Sequence, residues 1–186
     1  LLVTAGLSPS DAEKYPQEFY GGKRQRISLA RAPDAEAELL LLDEPTSALD
    51  VSVQAQVLNL LKDLQQRLGL TYLFISHNLS VVRFLTDRIG VMYLGRLVEE
   101  GPGETILDNP QHPYTRLLLE TVPDLEAPNR HRGPLGGDIP SPLNPPSGCA
   151  FHPRCPLAMD ICSRERPELK RSAGGANVAC HAVDSA

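Results

Sequence analysis

The chain has 186 residues, of which 41% are hydrophobic and 22% charged, with a formal net charge of −5. That balance belongs to a folded globular domain with room for an extension and excludes a wholly disordered polypeptide. The acidic sum argues against a nucleic-acid footprint, and the longest aliphatic run, Leu39 to Leu42, is far short of the roughly 20 apolar residues that cross a bilayer. Residue 1 is leucine, so the reading frame is expected to extend upstream.

Proline divides the chain: four of the 17 fall in residues 1–100 and 13 in 101–186. Because proline fixes φ and lacks the amide hydrogen, the second part cannot hold long regular elements, and a boundary is expected near residue 105. Domains are accordingly assigned to 1–105 and 106–186, with 123–147, rich in proline and glycine, as an extended connector.

In chain order, Gly21-Gly22 precede a helix that closes around Ala30-Arg31-Ala32, where Pro33 ends it. Leu39-Leu40-Leu41-Leu42 is a short continuous apolar run, the pattern of a strand buried on both faces. After Asp50, apolar residues at Val53, Val57, Leu60, Leu61, Leu64 and Leu68 form a helical stripe that Gly69 closes. Thr71 to Ile75 is β-branched and aromatic and reads as the next strand, ending at Ser76-His77. Asn78 to Thr86 suits a helix, and Ile89 to Leu94 and Arg96 to Glu100 flank Gly95 as a hairpin. Strand, helix and strand in that order predict an α/β fold with a parallel sheet.

The chemistry is concentrated at strand ends. Asp43-Glu44 place two carboxylates at the C-terminal tip of a strand, where open α/β sheets bind ligands. An aspartate there suits a hydrated Mg2+, and the neighbouring glutamate can polarise a water for in-line phosphoryl transfer. The same pair also reads as two solvated acids at a strand end. Gly21 and Gly22 stand before a helix whose free amides form an anion site, although a Gly-Gly pair is also an ordinary turn. His77 reads equally as a core histidine, and Asp50 as a helix N-cap.

Three motifs in order carry a family resemblance. Leu39 to Asp50 (LLLLDEPTSALD) resembles the Walker B strand and D-loop of ATP-binding cassette (ABC) ATPases. Phe19 to Arg26 resembles their signature motif, and Ile75-Ser76-His77 their switch-histidine strand. The resemblance implies a partial P-loop NTPase domain of α/β class that binds ATP and Mg2+. It makes Glu44 and His77 catalytic and Asp43 the Mg2+ ligand, and it gives Tyr20, Gly21, Gly22, Lys23 and Asp50 to the nucleotide of a second subunit. The sequence departs from the family in three places. No G-x-x-x-x-G-K-[ST] loop occurs, so the Walker A half is missing; Tyr20 stands where a serine is usual; and Lys23 replaces the commoner glutamine.

The second part resembles the Pro-rich, Cys-containing extension of peptide- and nickel-importer ATPases, through His112-Pro113-Tyr114-Thr115 and the segment Pro145 to Pro156. From the residues alone, His112 to Tyr114 is a turn before a helix. Cys149, Cys155, Cys162 and Cys180 are spaced x5, x6 and x17, and an iron–sulfur cluster, zinc and unliganded or disulfide thiols stand open as readings. The resemblance implies a [4Fe–4S] cluster, with Zn2+ as the alternative and His152 or His181 as substitute ligands.

The implied function is an ATP-hydrolysing subunit that energises import of peptides or a related solute. Its implied partners are a second ABC ATPase subunit (a homo- or heterodimer), membrane permease subunits and, indirectly, a solute-binding protein. The implied location is peripheral, at the cytoplasmic face of a prokaryotic plasma membrane. The alternative is a non-catalytic metal-binding module on a degenerate ATPase remnant. Without the missing half, residues 37–100 are expected to expose sheet edge and an apolar face.

Overall fold

The structure, a computed structural model, describes residues 2–3, 6–19, 21–30, 37–47, 49–121, 138 and 140–183. The expectations for Tyr20, for the helix end at Arg31 to Pro33 and for most of the 123–147 connector lie outside the described residues. The chain divides into two compact units, Leu1–Leu85 and Thr86–Ala186.

The first unit is built on one parallel strand pair. After two single-turn 3-10 segments, Pro9–Glu13 and Pro16–Glu18, come α1 (Gly21–Ala30), β1 (Leu39–Asp43), α2 (Val51–Leu68), β2 (Thr71–Ile75) and α3 (Leu79–Leu85). β1 and β2 pair in parallel from Leu39↔Thr71 to Asp43↔Ile75. α2 forms because Asp50 caps its first turn, accepting from the Val53 amide at 2.9 Å, and Gly69 ends it in the left-handed region. Its stripe buries Val57, Leu58, Leu61 and Leu64, the first three packed with Leu29, Leu42, Val81 and Leu85, with Leu40, Tyr72 and Phe74 at the margin. Tyr72 closes the layer by donating from its hydroxyl to the Leu61 carbonyl at 2.8 Å, and burial pushes its phenol up to about 12.

The run at Leu39 to Leu42 is not buried on both faces. Leu40 and Leu42 turn toward the helices, while Leu39 and Leu41 are 59% and 64% exposed and, across the sheet, Leu73 and Ile75 are 56% and 47% exposed. Successive side chains on a strand point to opposite faces, and the core of the described residues lies on one face only. The expected open apolar face is therefore present, on a two-stranded sheet.

The second unit starts with a hairpin, β3 (Arg88–Tyr93) and β4 (Arg96–Pro102), followed by α4 (Gly103–Asp108), α5 (Pro113–Glu120), α6 (Asp160–Arg164), β5 (Lys170–Arg171) and β6 (Asn177–Val178). The hairpin turns on Leu94 and Gly95, both at positive φ (44° and 74°), the two-residue turn that matches strand twist and that glycine makes accessible. Strand order is β3-β4-β6-β5, so the unit begins at Thr86, ahead of the compositional boundary near 105. The hairpin belongs with the C-terminal strands because Glu99 and Glu100 of β4 pair with Val178 and Asn177.

Phe151, 1% exposed, packs edge-on to Tyr93 at 5.3 Å between ring centroids and tilted on Tyr114 at 5.4 Å. A buried polar pair organises the start of α5. Glu99, 0% exposed, accepts from the backbone amides of Gln111 at 2.7 Å and His112 at 3.1 Å. His112, 1% exposed, caps α5 by accepting at Nδ1 from the Tyr114 amide at 3.0 Å, so the turn-before-helix reading of this segment holds. That bond puts the ring proton of neutral His112 on Nε2.

Two outcomes follow. Burial pushes His112 down to about 4 from its ordinary 6.5. Between those values the unfolded chain binds the proton and the folded one does not, so His112 destabilises the fold as pH falls from about 6.5 to 4, by about 3 kcal/mol in full. Urea denaturation of the wild type and of His112→Asn, which keeps a cap acceptor, is expected to show the variant losing less stability across that window. Separately, Leu41→Thr with Leu73→Thr is expected to lower light scattering from self-association while changing stability by no more than about 0.5 kcal/mol per site, because neither side chain packs in the core.

Candidate active site

The parallel register brings the ends of β1 and β2 side by side, and the residues after them meet. The Glu44 amide donates to the Ile75 carbonyl at 3.0 Å. Glu44 has φ +44°, a left-handed conformation that costs a non-glycine residue on the order of 1–3 kcal/mol and turns its side chain back over the sheet end. There its Oε1 accepts from the His77 backbone amide at 3.1 Å and lies 2.7 Å from His77 Nδ1. Glu44 is partly buried and His77 exposed. One carboxylate oxygen is thus engaged twice, and Oε2 has no partner among the described residues. Asp43, on the exposed face with Leu39 and Leu41, has no ion pair among the described residues.

The glycine pair opens α1. A Cβ at Gly22 would stand 2.4 Å from Val53 Cγ1, so the helix start packs directly on α2 and only glycine permits that approach. Lys23 is half-exposed, with Nζ 3.8 Å from Asp11 Oδ2. Asp11 is the residue that sequence reasoning passed over. It is buried, accepts from Lys14 Nζ at 2.5 Å and from the Ser8 amide at 3.1 Å, and the Lys14 hydrogen bond holds its carboxyl below the usual range. The Ser8-x-x-Asp11 spacing, a capping box at the first 3-10 segment, was the available signal. Asp50 acts as the α2 cap, and the Val53 amide, then the Ser52 hydroxyl, holds its carboxyl low. No hydrogen bond or ion pair joins Gly21, Gly22 or Lys23 to Asp43, Glu44 or His77 among the described residues, and the two groups stand as separate surfaces.

Comparison with known proteins bears on what these surfaces are. The family described as "ABC transporter" matches residues 2–47, and "Oligopeptide/dipeptide transporter, C-terminal region" matches 98–162. The oligopeptide transport ATP-binding protein AppF of Bacillus subtilis is 54% identical over 184 residues, 97% of this chain. The chain belongs to the ABC transporter ATP-binding family. A second member, named "Probable peptide ABC transporter ATP-binding protein y4tS", from Sinorhizobium fredii, is 53% identical over 183 residues, also 97% of this chain. The chain spans 56% of AppF and 52% of y4tS. In fold, it superposes on the ADP conformation of MJ1267, an ATP-binding cassette of an ABC transporter, with TM-score 0.54 at 22% identity, over 65% of this chain and 47% of that one.

The structure gives the expected metal centre at the cysteines of this ABC protein no support. All four are free thiols, Cys162 buried and Cys149, Cys155 and Cys180 partly so. They are gathered closely enough for each of these three to feel the charge of other cysteines of the set, but burial, the largest cause, pushes all three thiols up. Among the described residues no group of three or more His, Cys, Asp or Glu side chains is placed to hold a metal ion, so the structure gives the expected [4Fe–4S] cluster and Zn2+ no support. His152 Nδ1 lies 2.9 Å from the Cys149 carbonyl and His181 Nε2 3.1 Å from the Glu165 carbonyl.

The close approach at the start of α1 is directly testable. Gly22→Ala is expected to destabilise the first unit by about 1–3 kcal/mol through overpacking, and Val53→Ala in the same chain is expected to recover part of that loss. Thermal unfolding of the two single variants and the double variant measures the coupling.

Proposed function

We propose that this chain supplies the water-activating residues of an ATP-binding subunit that energises peptide import through an ABC permease. The observation that carries the reading is the Glu44–His77 contact at aligned strand ends. It is supported by 54% identity to an oligopeptide transport ATP-binding protein over nearly the whole chain.

ATP would supply the β–γ anhydride as phosphoryl donor, with Mg2+ neutralising its oxygens. Asp43, an exposed carboxylate at a strand tip with no competing cation among the described residues, has the donor chemistry to hold hydrated Mg2+. Glu44 directs its unengaged Oε2 at the attacking water and takes hydrogen-bond character from it, while the two His77 contacts on Oε1 fix the carboxylate's direction. Gly21 and Gly22 present amides at the start of α1 to the phosphate bound by a second subunit, and by the family resemblance Tyr20, Lys23 and Asp50 would serve the same nucleotide. The phosphate cradle itself must come from residues other than these 186, since no G-x-x-x-x-G-K-[ST] loop is among them.

The partners of this reading are a second ATP-binding subunit, a pair of membrane permease subunits and, through them, a solute-binding protein. No helix among the described residues is long and apolar enough to cross a membrane. The reading therefore holds the subunit at the cytoplasmic face of the membrane through its protein contacts.

The purified chain alone is expected to release no phosphate from ATP. Joined to the phosphate-loop half of AppF it is expected to turn ATP over, and Glu44→Gln to lower that turnover by about 100-fold or more while nucleotide still binds. Turnover in the joined protein that is indifferent to Glu44→Gln would remove Glu44 from the mechanism. Turnover by the chain alone, lost in Glu44→Gln, would show that the separate cradle is not needed.

A further inference from the structure

We propose that the second unit carries a binding site for a small amphiphile with one anionic head, a medium-chain aliphatic carboxylate. The site is a cleft of about 270 Å³ between the start of β4, the segment from Gly148 to Phe151 and the chain from Arg166 to Leu169. Its chemistry is graded from floor to rim. The floor is apolar and buried, formed by Val98, Ala150, Phe151 and Ala179. Leu97, Pro167 and Leu169 continue it outward. Arg96 and Arg166 line the same cleft and are exposed.

Three observations point to an anion on an apolar body. Neither guanidinium makes an ion pair or hydrogen bond among the described residues, in a chain whose net charge is −5 and where acidic partners are plentiful. None of the lining residues carries a carboxylate, so a ligand anion meets no like charge on the walls. Of the acids flanking Arg166 in the chain, neither Glu165 nor Glu168 lines the cleft, and Glu168 is paired with Lys170 at 3.2 Å. Arginine presents a planar fork that matches a carboxylate with two parallel hydrogen bonds, and apolar walls with few polar groups are the usual build of a small-molecule site. The cleft is smaller than the ~300–1,000 Å³ of sites for drug-sized ligands, which fits a short unbranched chain.

Isothermal titration of the 186-residue chain with octanoate, octanol and acetate tests the assignment. Octanoate is expected to bind once and saturably, with Kd on the order of 0.1–1 mM for a ligand of this size. Octanol, which lacks the charge, and acetate, which lacks the chain, are each expected to bind at least about tenfold more weakly. Arg96→Gln and Arg166→Gln, both at exposed positions, are expected to weaken octanoate by about tenfold each and leave octanol unchanged. Leu169→Glu, which removes an apolar wall contact and sets a carboxylate in its place, is expected to weaken octanoate by more than it weakens octanol. Circular dichroism melts of each variant keep loss of fold separate from loss of site. The proposal is overturned if octanoate gives no saturable heat, if octanol matches it, or if folded Arg96→Gln/Arg166→Gln chain binds octanoate as the wild type does.

Discussion

The parallel pairing of β1 with β2, in register from Leu39↔Thr71 to Asp43↔Ile75, decides where the chemistry can be. Because the two strands run the same way and end level, the residues that leave them, Glu44 and His77, emerge at one edge and come within hydrogen-bond distance. A slip of one residue would turn every side chain of one strand to the other face. It would carry Leu40 and Leu42 out of the core and break the Glu44 amide bond to Ile75. Core and site therefore share one determinant. The register that buries Leu40 and Leu42 also sets the distance between the carboxylate and the imidazole.

The strain at Glu44 fits that arrangement. A residue before proline is already restrained from the α region, and Glu44 precedes Pro45 and sits at φ +44°. The surrounding bonds over-determine it: its amide is held by Ile75, and its carbonyl accepts from the Ser47 amide at 3.3 Å and the Ser47 hydroxyl at 3.1 Å. What the strain achieves is direction. An extended backbone would continue the alternation of β1, whereas the left-handed turn folds the carboxylate across the strand end toward His77. Strained backbone persists where neighbouring contacts enforce it, and here those contacts lie at the carboxylate that the proposed mechanism directs at a water.

Local signals were the legible part. α2 could be read end to end because its cap, its stripe and its closing glycine are encoded within the helix itself, and the hairpin because Gly95 sits at its turn. The order of the three motifs gave the family, and Asp43, Glu44 and His77 stand at strand tips as their spacing implied. Non-local facts were hidden. A run of four leucines does not say how many of its faces are covered, and the structure covers one. Alternation along β4 does not distinguish Glu99 from a solvated acid, yet it is the acceptor that holds two amides ahead of α5. Cysteine spacing suggested a ligand set, but whether four thiols converge depends on tertiary placement, which spacing alone does not carry. Asp11 carries a local signal in the Ser8-x-x-Asp11 spacing, but its contact with Lys23 exists only once the chain has folded back on α1.

Buried polar groups in the two units solve one physical problem in two ways. Asp11 sits beside two lysines, so its charge is matched by charge. Glu99 has no cation; two backbone amides in a row, from Gln111 and His112, receive its two oxygens. A carboxylate that accepts from amides is stabilised without the long flexible partner whose ordering costs side-chain entropy. It is also insensitive to the presence of any second molecule. Asp11 differs, because one of its lysines belongs to the glycine-rich start of α1. An anion arriving at that helix would compete with Asp11 for Lys23. The 3.8 Å separation, longer than the 2.5 Å contact to Lys14, leaves Lys23 the more easily released of the two. The unit can thus give up a cation at the start of α1 without leaving its buried acid unpaired, since Lys14 stays in place.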